Sequence, residues 1–161
     1  MAERSEHDQF STSLGEGADP RLGSSTDRYS SDGRRWDVEM SVLPPHLAAI
    51  RNVMGTLAVH LDFDLDAVAD LRLAADEVAS QLVAVADSDT AIDCGFALRG
   101  GTLTMRARVR SPHPDGARSE GLGARILASL VDSVRYEATP DPHEPGDYLI
   151  TTTISKRQAI R

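Results

Sequence analysis

One cysteine, Cys94, is the whole thiol content of this 161-residue chain. That excludes an internal disulfide and a thiolate metal cluster, and it fits a reducing compartment. On its alternating stretch Cys94 reads as a small buried hydrophobe. The five histidines, at 7, 46, 60, 113 and 143, show neither HxxxH nor HExxH spacing, so no metal site of His or Cys is expected. No apolar run approaches membrane-spanning length, and Met1 to Phe10 hold no apolar h-region. A soluble, cytoplasmic chain with no membrane partner is expected. With a net charge of −8 and no Lys/Arg-rich stripe, binding of nucleic acid through its phosphates is disfavoured. A protein partner or a small ligand remains. GxxxxGKS/T and nucleophile-elbow motifs are missing too, which disfavours those enzyme classes.

The length suits one domain with a proper core plus a tail. Residues 1–35 contain no Val or Ile, and their hydrophobic residues are only Met1, Ala2, Phe10, Leu14, Ala18, Leu22 and Tyr29. Such a segment cannot bury enough apolar area to offset its ordering entropy. The expected division is a disordered tail, 1–35, and a folded domain, 36–161.

Within the domain, Trp36, Val38, Met40 and Val42 alternate with polar residues as a half-buried strand does. Pro44 and Pro45 end it and can open a helix. Leu47, Ile50, Met54, Leu57 and Leu61 then form a stripe on a helix of about four turns. Asp64 can cap the next helix, striped by Val68, Leu71, Ala75, Val78, Leu82 and Val85. Two alternating runs joined by Gly100-Gly101 predict a β-hairpin. Residues 110–120 read as a polar loop long enough to act as a lid. Gly123, Ile126, Leu127, Leu130, Val131 and Val134 trace a third helix. A short strand around Arg135 to Ala138 and a final strand through Tyr148, Ile150, Thr152 and Ile154 complete the order βααββαββ. The expected fold is α+β: three helices packed on one face of a mixed sheet of about five strands, which buries every stripe at once.

Two constellations carry chemistry. Glu77 and Gln81 lie four residues apart on the second helix, so a carboxylate and an amide rise from one face, able to align a water and bind Mg²⁺. The plain alternative is a solvated helix face. Gly121 and Gly123 stand where a loop enters the third helix, exposing N–H groups as anion sites do, or simply forming a flexible loop end. Arg106, Arg108 and Arg110 share the polar face of a strand, either solvated or attracting an acidic partner.

Taken together, LRLAADEVASQLV (71–83) and GLGARILASLVDSV (121–134) resemble the N-box and second glycine box of the anti-sigma-factor serine kinases of the GHKL ATPase superfamily. The chain from Trp36 to Ser155 most resembles the actinobacterial members that restrain sigma factor F. The resemblance implies the GHKL ATP-binding fold, Mg-ATP or ADP as ligand, a homodimer, and two partners: an alternative sigma factor and an anti-anti-sigma protein of the STAS type. It places Glu77 at the general base, Gln81 where the family has a Mg²⁺-binding Asn, Gly121, Leu122 and Gly123 on the phosphates, and Arg51 at a sigma-factor contact.

Two departures stand against an intact nucleotide site. Gln for Asn shifts the ligating oxygen, which a metal of near-octahedral preference tolerates poorly. Ser111 stands near the place of the first glycine box, whose Asp binds the adenine amino group, with Gly116 of Asp115-Gly116 as a displaced remnant. Loss of a charge-assisted hydrogen bond costs about 1.5–3 kcal/mol. The leading expectation is therefore an anti-sigma factor with a degenerate nucleotide site. An active Mg-ATP-dependent serine kinase is the alternative, and a catalytic fragment of a sensor histidine kinase a weaker third.

Overall fold

A computed structural model describes residues 36–88, 90–117 and 120–159; the segment expected to be a disordered tail lies outside them. Strand β1 (Trp36–Val42) starts where alternation starts, and Val42 is buried. Leu43, extended, hands the chain to a 3-10 turn at Pro44–His46 whose prolines occupy its first positions. Helix α1 (Ala48–His60) buries Ile50, Met54, Gly55 and Ala58. It stops at Asp62, which adopts a left-handed φ of 58°, a conformation that ends helices and that Asp tolerates better than most residues.

Asp64 caps helix α2 (Leu65–Val85), its Oδ1 accepting from the Ala67 N–H at 2.7 Å. This satisfies one of the orphan donors of the first turn. Strands β2 (Ile92–Arg99) and β3 (Thr102–Ser111) form the expected hairpin, with Gly100 and Gly101 at φ 55° and 76°. That left-handed pair matches the twist of the flanking strands and suits glycine. Helix α3 (Leu122–Leu130), β4 (Ser133–Pro140) and β5 (Tyr148–Arg157) complete the chain.

The strand order is β1-β2-β3-β5-β4. Class, helix count and strand count are as expected, but every pairing is antiparallel, not mixed. The crossover through α3 returns β4 parallel to β3, and β5 then folds back into the gap between them, so the two parallel strands never touch. One face of the sheet is apolar: Cys94, Ala107 and Thr152 lie in one row across it and Phe96, Met105 and Ile154 in the next; α2 packs against β2, β3 and β5, its Leu71, Ala75, Val78 and Leu82 buried in the same core.

Two further expectations change. Helix α3 ends at Leu130, and Val134 belongs to β4 rather than to the helix. Asp132 decides this: its N–H donates to Ser155 O at 2.9 Å and its carboxylate accepts from the Arg157 N–H at 2.6 Å. The chain is thereby committed to the sheet, although Val131 and Val134 stay on the apolar side in either period. The loop expected over 110–120 is shorter, because β3 runs through Ser111 and Pro114–Ala117 form a 3-10 turn. Among the described residues no helix is long and apolar enough to cross a membrane.

Candidate functional site

Helix α2 is the organising element, because it presents one flank to α3 and the other to α1. On the α3 flank Gln81 Nε2 donates to Glu77 Oε1 at 2.8 Å, so the two polar groups read from the sequence form a joined pair. The first turn of α3 closes on that pair. A Cβ on Gly123 would lie 2.7 Å from Gln81 Nε2 and would overlap Glu77 Oε1. Glycine lets the α3 backbone come this close without displacing the ends of either side chain. Gly121, the N-cap, has φ 125°, a conformation L side chains rarely adopt, and it turns the loop into the helix. The free N–H groups of this helix start therefore lie beside the Glu77–Gln81 pair.

The far end of α3 is anchored as well. Lys156 Nζ on β5 donates to Leu130 O at 2.7 Å and to Asp70 Oδ2 of α2 at 3.1 Å. A cation on the last carbonyls of a helix also complements its dipole. Helix α3 thus lies antiparallel to α2, its start against Gln81 and its end against Asp70.

Gly116 joins the site from the loop side. A Cβ there would come within 2.9 Å of Val85 Cβ, so the 3-10 turn rests on the last turn of α2. Ser111, fully buried at the end of β3, spends its hydroxyl locally, accepting from the His113 N–H at 3.1 Å. It sets the turn by the usual side-chain-to-backbone route of serine. Leu122 does not join the cluster: its side chain is 75% exposed.

Arg51 lies on the opposite flank. Its Nη1 pairs with Asp76 Oδ2 at 3.0 Å, bridging α1 and α2, and its Nε is buried without a partner among the described residues. The Arg51 contact and the Glu77 cluster are therefore separate places, joined only through the adjacent residues Asp76 and Glu77. The strand arginines do not form one free cationic row. Arg108 reaches Asp93 at 3.6 Å, and Arg110 Nε donates to Asp141 Oδ2 at 2.9 Å.

Among the described residues two titrating groups are shifted. The backbone N–H of His143, donating at 2.9 Å to Asp141 Oδ1, holds the Asp141 carboxyl below its ordinary range. Burial works against this, and Arg110 and the Glu144 N–H support it. Burial, helped by the charge of Asp93, pushes the Cys94 thiol up to about 12. It is an inert core side chain, as its position suggested.

The protein called Anti-sigma-F factor RsbW, in Mycobacterium tuberculosis strains CDC 1551 / Oshkosh and ATCC 25618 / H37Rv, is in each case 29% identical to this chain over 115 residues. The match spans 71% of this chain and 68% of the relative. No family model matches. Over that span the chain is similar to the RsbW-like anti-sigma factors.

The two segments that carry the RsbW-like pattern, 71–83 and 121–134, are those that α2 and α3 bring into contact at Glu77, Gln81 and Gly123. Several structurally important residues lie outside that pattern. Lys156 and Asp141 carry no signal in local sequence, because their partners are remote along the chain. Asp76 lies inside the 71–83 segment, but its partner Arg51 is remote along the chain. Gly55 is different: an isolated glycine inside an amphipathic helical stripe marks a close approach, and here the Arg72 side chain lies across it.

Proposed function

We propose that this chain is an anti-sigma factor that sequesters an alternative, sigma F-like stress-response sigma factor in the cytoplasm. It acts as a homodimer and is released when an anti-anti-sigma protein of the STAS type competes for it. The observation that carries this reading is the contact of Gly123 with Glu77 and Gln81 in a chain similar to an Anti-sigma-F factor. Arg51, held at the α1–α2 boundary by Asp76, is the sigma-factor contact.

In this reading the nucleotide site is degenerate, and the residues present fit Mg-ATP or ADP poorly. The Glu77 carboxylate is engaged by Gln81, and Gly123 closes directly over both. Ser111 is buried with its hydroxyl in a local turn, so it offers nothing in place of an adenine-binding carboxylate. Gly116 packs on Val85 and leaves no first glycine box at the end of β3. Immobilised protein exposed to a lysate of its source organism, with and without Mg-ATP, tests the proposal by mass spectrometry. A sigma factor retained equally in both conditions supports it. Retention of neither a sigma factor nor an anti-anti-sigma protein removes it.

A second reading, an active serine kinase acting on the anti-anti-sigma partner, is favoured by one observation: the N-terminus of α3 stands beside the Glu77 carboxylate. Transfer of phosphate to a partner serine, abolished by Glu77→Gln, would establish it. Absence of ATP binding at millimolar concentration would exclude it.

A further inference from the structure

The seam between α1 and α2 has a regular composition. Arg51 meets Asp76, Gly55 meets Arg72 one turn on, and Val59 and Val68 flank the next turn. The first pair is closed by an ion pair and the others open into a surface groove of about 430 Å³. Its α1 wall carries Asn52, Thr56 and His60, which share one helix face at spacings of four. Among the described residues, none of these side chains and not the Arg72 head group makes a hydrogen bond or ion pair.

Arg72 is placed but unpaired. A Cβ at Gly55 would lie 2.8 Å from Arg72 Cδ and 2.9 Å from its Cγ, so the aliphatic stem occupies the notch the glycine leaves. Glycine is a poor helix former, and here it leaves room for an arginine stem against α1, with Arg72 lining the groove. The lining contains an arginine and a histidine but no carboxylate, in a chain whose net charge is −8. The apolar Val59 and Val68 beside these donors suit an amphipathic segment rather than a lone ion.

We infer that this groove binds an acidic segment of the protein partner, with Arg72 taking a carboxylate, Asn52 and Thr56 its polar neighbours, and the two valines an adjacent apolar side chain. The inference rests on the anti-sigma reading for the identity of the partner, the sigma factor, and extends its contact surface one turn beyond Arg51. A planar guanidinium with a fixed stem loses little freedom on pairing, and bidentate carboxylate recognition is its strongest use.

The test is the affinity of the full chain for the purified sigma factor recovered by the wild type, measured by calorimetry across a salt series. Arg72→Glu should weaken binding roughly ten-fold or more, as loss of a charge-assisted contact does, and should flatten its salt dependence. Thr56→Glu, which places a carboxylate on the other wall, should weaken it in the same direction. Both positions are exposed, so melting temperatures should stay near the wild-type value. Wild-type affinity in both variants would overturn the groove while leaving the anti-sigma reading intact. A wild-type chain that binds no sigma factor would overturn that reading and with it the occupant named here.

Discussion

Gly123 shows how much one missing methyl can determine. A Cβ at this position would press on both members of the Glu77–Gln81 pair, so Gly123→Ala must either lift the start of α3 or break the hydrogen bond beneath it. Both contacts are the ends of flexible side chains that can swing aside, so the cost should sit at the low end of overpacking, about 1 kcal/mol. Urea denaturation should show the loss, and an unchanged midpoint would mean that α3 lies looser on α2 than described. Cys94 gives a second expectation at this scale. Its thiol is raised in the fold to about 12 from an ordinary value of 9.0, so the neutral form favours the native state. That contribution is complete below about pH 9 and is lost as pH rises toward 12. At pH 8.5 iodoacetamide should leave native protein unmodified and label it on unfolding. Rapid labelling without denaturant would contradict the burial of β2.

Between elements, the connections are made by a few long side chains. Lys156 joins β5 to the end of α3 and to α2, with its side chain only 18% exposed. Lys156→Met keeps the stem and removes the donor, leaving Leu130 O and Asp70 without it, and should cost about 1–2 kcal/mol in thermal or urea unfolding. Asp141 fastens the turn between β4 and β5 to Arg110 at the end of β3. Its carboxyl is held below the ordinary 3.8 in the fold, so the ionised form favours the native state. This stabilisation is fully present above about pH 4 and declines as pH falls through the folded value. The wild type should lose stability across that acid range, and Asp141→Asn should respond more weakly there. An identical acid profile for the two would show that the carboxylate does not hold the turn.

For the whole molecule, the sheet is covered on one face by helices that centre on α2, and the two flanks of α2 face different tasks. The α3 flank holds the glycine contacts, and the α1 flank holds Arg51 and the groove at Arg72. The described domain begins at β1, whose alternation starts at Trp36. Residues 1–35 hold no Val or Ile and offer little apolar area to bury, so a chain beginning at residue 36 is expected to retain the melting temperature of the full chain within a few degrees. A drop of about 10 °C or more, which is several kcal/mol by the usual scaling, would assign residues 1–35 a structural role.

Element order, the hairpin at Gly100-Gly101, the Asp64 cap and the apolar stripes were all legible in the residue pattern. Each of these depends on neighbours within a few residues, where periodicity and turn chemistry act. The resemblance carried by residues 71–83 and 121–134 was legible for the same reason, since each segment is a local pattern on one helix. What those patterns touch was set by contacts made in three dimensions. Those contacts made the sheet antiparallel by inserting β5 beside β3 and ended α3 through the bonds of Asp132 to β5. They also tied Arg51 to Asp76 and laid Arg72 over Gly55. These outcomes depend on groups far apart in the chain meeting within a few ångströms, and no local window of sequence encodes such a meeting.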